Sequence, residues 1–151
     1  MMKTNRIGLL LALIAWIGGA EAADSALPED PREAVEMPAL QRALLREDMV
    51  QHMAAFNEVF GLVNEGKLKE AADLAETGLG FSSMGKHAAR TQGQGPGRFM
   101  PEGMRATAIG MHKAASEFAE VAKQGDRAAA YKALEPVMGA CVACHAGYRL
   151  K

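Results

Sequence analysis

Apolar residues along this chain recur every three or four positions, the repeat of helices that each bury one face. Leu45, Met49, Met53, Phe56, Phe60 and Val63 form one such stripe, and Gly66 ends it. Upstream, Asp30-Pro31 reads as an N-cap and first helical residue, and Pro38 interrupts or restarts that helix. A second helix is expected from Lys67 to about Thr77, with Leu68, Ala71, Ala72 and Ala75 facing inward and Gly78 and Gly80 stopping or bending it. Residues 81–90 add a helical turn or two. Residues 91–98, with three glycines and a proline, read as a loop. The third helix starts near Pro101, and its Met104, Ala108, Met111, Ala115, Phe118 and Ala122 have the spacing of bundle packing. Gly125 closes it and Asp126 caps a fourth. There Leu134, Val137, Met138, Cys141, Cys144, His145 and Tyr148 share a stripe that Pro136 should bend. Nothing reads as strand. The pattern predicts an all-α fold, an antiparallel four-helix bundle whose longest connection lies between the second and third helices.

The first 22 residues follow a different rule. Lys3 and Arg6 precede an apolar run from Ile7 to Ile17, and Ala20-Glu21-Ala22 is an A-x-A cleavage site. This is the pattern of a secretory signal peptide, and the run falls short of the roughly 20 residues a membrane span needs. Cleavage after Ala22 leaves residues 23–151 as one domain of ordinary size. It removes Lys3, Arg6 and Glu21, so the net charge of −1 for all 151 residues becomes −2. That balance argues against a nucleic-acid partner, and no block of charge suggests a membrane surface.

The chain has two cysteines, and both lie in Cys141-Val142-Ala143-Cys144-His145. Cys-x-x-Cys-His is the attachment signal of a c-type haem. Two thiols three positions apart lie near one face of a helical turn, where both can form thioethers to one porphyrin, and the adjacent imidazole can reach the iron. A structural zinc site would need a second ligand pair that the chain lacks. A thioredoxin-like pair would open a helix inside a βαβ unit, and a disulfide between these cysteines would staple very little. Haem is attached to such proteins outside the cytoplasm, so the signal peptide and the motif support each other. Together they indicate a protein of the periplasm with one covalent haem c.

A secreted four-helix chain with this motif at its C-terminal end resembles the cytochrome c′ family. The ending Cys141-Val-Ala-Cys-His-Ala-Gly-Tyr-Arg149 is similar to the family's, and the stretch from Arg46 to Gly66 resembles its first helix. The resemblance covers about residues 35–151. It implies that Cys141 and Cys144 carry the thioethers and that His145 is the proximal iron ligand. It implies that Arg149 lies near the proximal side of the haem and Arg46 near a propionate or the haem edge. It also implies a homodimer through the first two helices.

The sixth position on the iron decides the chemistry. A thioether there suits electron transfer, whereas an open apolar face admits small gases. Ungapped alignment with the family's first helix sets Val50 over the iron, which cannot ligate. The apolar stripe instead favours Met49, with His52 and Met53 next in reach. Eight methionines follow the signal, and most are expected to fill gaps in the core. His87 and His112 read as surface or hydrogen-bonded core histidines, and their pairing with Met84 and Met111 for copper is a weak alternative. The leading expectation is a non-enzymatic electron carrier that exchanges electrons with redox partner proteins through His145 and Met49. The alternative is a five-coordinate haem protein that binds NO or CO in a pocket of Val50, Met53 and Phe56. A helical interaction or metal-binding domain without haem, or a peroxidase using His52, stands further off.

Overall fold

The computed structural model describes residues 28–151, so the signal peptide expected over 1–22 lies outside the described residues. Pro31–Lys151 forms one compact unit. Its long helices are α1 (Ala39–Asn64), α2 (Leu68–Gly78), α4 (Glu102–Lys123) and α5 (Arg127–Gly147), with a single short turn, α3 (Ala88–Thr91), between the second and third of them. Turns of 3-10 helix at Phe81–Ser83 and Pro96–Phe99 fill out the same connection. Among the described residues no helix is long and apolar enough to cross a membrane.

The helix ends follow from local chemistry. Gly66 and Gly125 stand just past α1 and α4 at φ of 76° and 83°, where a Cβ would collide with the following carbonyl. After α1 the amide of Lys67 bonds back to the Leu62 carbonyl at 2.9 Å and closes the helix. The Asp126 carboxylate accepts from the amides of Ala128 and Ala129 at 2.9 and 3.1 Å, satisfying two otherwise unpaired donors at the start of α5. The helix then runs through Pro136 to Gly147 without losing its helical span.

Two expectations are corrected. No helix begins at Pro31. Instead Glu33–Val35 is a short strand, β1, paired in parallel with β2 (Tyr148–Leu150), Glu33 opposite Tyr148 and Val35 opposite Leu150. A helix confined between Pro31 and Pro38 would be far shorter than the length at which helices hold on their own. The far end of the chain offers the backbone a partner instead, one that no local pattern reveals. The second correction concerns α1, whose most deeply buried residues are Leu44, Leu45, Val59 and Val63, while Phe60 is about half exposed. Apolar side chains occur nearly all round this helix, so periodicity alone selects the wrong edge of its buried face. Phe60 packs edge-on against Tyr131, whose hydroxyl donates to the Asn64 side chain, tying the end of α1 to α5.

The main core lies where all four long helices overlap. Phe118, Val59, Val63 and Val137 are fully buried there among Ala71, Ala72, Ala75, Ala115, Ala119 and Ala122. The three-residue connections α1–α2 and α4–α5 force those pairs to reverse, and the β1–β2 pairing brings the start of α1 beside the end of α5. Neighbouring long helices are therefore antiparallel. At ~1.5 Å rise per residue, the 11 residues of α2 reach less than half as far as the 26 of α1. Beyond the end of α2 that side of the bundle is covered by the irregular stretch 80–101, and space remains beneath it.

Candidate functional site

That space is a cavity of about 460 Å³ between α1, α4, α5 and the stretch 83–100, within the ~300–1,000 Å³ usual for cofactor-sized ligands. Cys141, Cys144 and His145 line it from α5, and Leu45, Met49, His52 and Met53 from α1. All four histidines of the chain line this one cavity, and so do five of its methionines, Met49, Met53, Met84, Met100 and Met111.

On α5 the two thiols are half-buried and free. Burial holds both above the usual thiol range, and in Cys144 the neighbouring Cys141 adds to the effect. The Cys141 thiol donates to the Val137 carbonyl one turn back at 3.5 Å. The His145 imidazole is more exposed than either thiol and opens onto the same cavity. Gly147 ends the helix two residues later, and the β1–β2 pair holds the chain just beyond the motif.

Opposite, Met49 is partly buried and packs in a small apolar cluster with Leu45, Met104 and Cys144. His52 stands one turn further along. Its imidazole is pushed down to about 4, first by burial and then by the nearby His112 and Lys86, so it is neutral at ordinary pH. The rings of His52 and His112 meet edge-on with centroids 5.6 Å apart. His112 is oriented by donating from Nδ1 to the Leu79 carbonyl at 2.7 Å.

The wall over 83–100 is held to α1 by polar contacts. Lys86 Nζ and His87 Nε2 both reach Asp48 Oδ1, at 2.7 and 2.8 Å, and Lys86 also donates to Gln51 at 2.8 Å. Gln41 donates to the Gln94 carbonyl at 3.0 Å, and Arg90 approaches Glu47 at 3.3 Å. Asp48 and His87 are nearly buried, so their pairing does more than an exposed ion pair would. Sequence reasoning set His87 aside. The signal that could have found it is a histidine in a glycine-rich loop facing a helix with a buried-side aspartate.

The residues expected at the site divide clearly. Cys141, Cys144, His145 and Met49 converge on the cavity, as do His52 and Met53. Val50 does not: it is 70% exposed on the outer side of α1. Phe56 packs against the main core, so of the three residues expected to line an open gas pocket only Met53 does. Arg46 is exposed and lies outside the cavity lining, and Arg149 sits in β2 opposite Ala34, also outside it. The arginines that line the cavity are Arg98 and Arg105, which the sequence reading passed over.

Among the described residues no three His, Cys, Asp or Glu side chains are grouped to hold a bare metal ion. A single imidazole beside two thiols, facing an apolar space, fits an iron whose equatorial ligands come with it. Residues 100–149 match the family model described as Cytochrome C', a span that holds α4, α5 and the Cys-x-x-Cys-His turn. No curated protein and no solved structure matches the chain. The match supports the resemblance seen in the tail.

Proposed function

Starting from a chain whose C-terminal part carries the cytochrome c′ pattern, we propose that it is a monohaem c-type electron carrier of the periplasm. The observation that carries this reading is the convergence of Cys141, Cys144, His145 and Met49 on one cofactor-sized cavity. Such a haem supplies a one-electron iron couple, and no substrate bond need be made or broken. Cys141 and Cys144 would tether such a haem on α5, and His145 and Met49, both on the cavity lining, would supply its iron ligands, a set that favours low-spin iron and a raised potential. The stretch 83–100, bound to α1 through Asp48, would shield the group from water. Export by residues 1–22 delivers the chain to the compartment where such haems are attached.

An open distal face, receptive to NO or CO, is the second reading. Met53 on the lining favours it, and Val50 on the outer side of α1 speaks against the register from which it came. Two measurements test the proposal. Mass spectrometry of exported protein should show the polypeptide plus one covalent haem, and Cys141→Ala with Cys144→Ala should show the bare polypeptide. Visible and EPR spectra should be low-spin in the wild type, unchanged by CO, and high-spin in Met49→Ala. A wild type that is already high-spin and shifts with CO removes the Met49 assignment and leaves the gas-binding reading.

A further inference from the structure

We propose that Arg98 and Arg105 form an anion-binding pair at the mouth of the cavity, and that its ligand is the pair of carboxylates on one edge of the porphyrin. The inference rests on the haem reading above and deepens it. Three permanent cations line the cavity: Lys86, Arg98 and Arg105. Lys86 is committed, bound to Asp48 at 2.7 Å and to Gln51 at 2.8 Å. Arg90, just outside the lining, is paired with Glu47. The guanidinium groups of Arg98 and Arg105 make neither an ion pair nor a hydrogen bond among the described residues, although both open onto the cavity.

Their placement is built by two different elements. Arg98 belongs to the 3-10 turn Pro96–Phe99, whose Pro96 is buried, and Arg105 lies in the first turn of α4. The two flank the corner at Pro101, and Met100 between them also lines the cavity. Asp48 is the sole carboxylate of the lining, and its Oδ1 already meets Lys86 and His87. The cavity therefore offers an apolar interior with two uncommitted guanidiniums at its mouth. That matches a flat apolar ring bearing two carboxylates on one edge, since guanidinium groups bind carboxylates in a planar, charge-assisted fashion. Arg46 and Arg149, which the family resemblance pointed to for the haem surroundings, do not reach this mouth.

The test uses the haem-loaded protein in four forms: wild type, Arg98→Gln with Arg105→Gln, the same pair changed to Lys, and Lys69→Gln. Resonance Raman reads the propionate bending bands, which respond to hydrogen bonding at the carboxylates. A potential titration from pH 4 to 9 reads their ionisation. The other titratable or charged groups facing the cavity are Asp48, Lys86, His52, His87, His112 and His145, and all are unchanged in every form. The bands should move in the Arg98→Gln, Arg105→Gln protein and largely return with Lys. The acid inflection of the potential should rise by roughly one pH unit or more when the cations are removed. Lys69→Gln, which removes an exposed cation of α2 outside the cavity lining, should leave both as in the wild type. Unmoved bands, or an equal change in Lys69→Gln, overturn the pairing and leave the cytochrome reading standing. Purified wild type of bare polypeptide mass overturns both.

Discussion

Where α1 turns into α2, the helices close on each other through alanine, and Ala71, Ala72, Ala75, Ala119 and Ala122 let Phe118 and Val63 fill the middle completely. At the other end α2 has stopped, and α1, α4 and α5 face a stretch of chain held by side-chain hydrogen bonds to Asp48, Gln41 and Glu47. The first end is packed with buried apolar side chains. The second gathers every histidine of the chain and half of its methionines around one cavity. Stability and chemistry are thus separated along the bundle axis. Small side chains at the closed end give tight helix approach. Soft and ionisable side chains at the open end leave space and supply donors.

The largest effect should come from breaking the closed end. Phe118→Ala removes a fully buried ring and should cost about 3–5 kcal/mol in urea unfolding. A loss under about 1 kcal/mol would mean that the alanine-lined core can collapse, and the contrast between the ends would be wrong. Asp48→Asn strikes the open end. It weakens the contacts to Lys86 and His87 and should cost about 1.5–3 kcal/mol. Amide exchange should quicken across 83–98, while α2 and the buried part of α4 keep their protection. Uniform quickening everywhere would show that the two ends unfold as one.

A third test is the acid response of His52. Its folded value of about 4 lies below the ordinary histidine value of 6.5, so between these limits the unfolded chain binds more protons than the folded one. Stability should therefore rise as pH goes from about 4 to 6.5, and fall as acid is added through that window. His52→Gln should flatten this slope, as measured by unfolding midpoints at several pH values. An equally steep slope in the variant would place the acid sensitivity elsewhere. The smallest effect belongs to Glu117→Gln, which breaks an exposed helix pair with Lys113 at 3.1 Å. It should change stability by under about 0.5 kcal/mol, and a larger loss would mean that the surface of α4 does more than meet solvent.

Legibility from sequence followed how local each feature was. Leu68, Ala71, Ala72 and Ala75 read correctly as the inner face of α2, and all four are buried. Gly66, Gly125 and Asp126 marked helix ends because each answers a backbone need within a few residues. The stripe on α1 takes in Phe60, which is about half exposed, and omits Leu44 and Val59, which are fully buried, because an apolar surround leaves the direction of burial to neighbours distant in sequence. The parallel pairing of Glu33–Val35 with Tyr148–Leu150 joins the two ends of the described chain, and nothing in either tripeptide announces it. The contribution of Asp48 and His87 was likewise hidden, since it arises from a contact across 39 positions.

By itself the chain specified a helical bundle and one Cys-x-x-Cys-His turn, because helical repeats, caps and a five-residue motif are written over short distances. Only the tertiary structure decided what faces that site. It turned Val50 outward and Met49 inward, set Arg98 and Arg105 rather than Arg46 and Arg149 on the lining, and left a cavity where α2 ends. Such choices depend on how long each helix is relative to its neighbours and on how it is rotated against them. Those are properties of the packed whole that no single stretch carries.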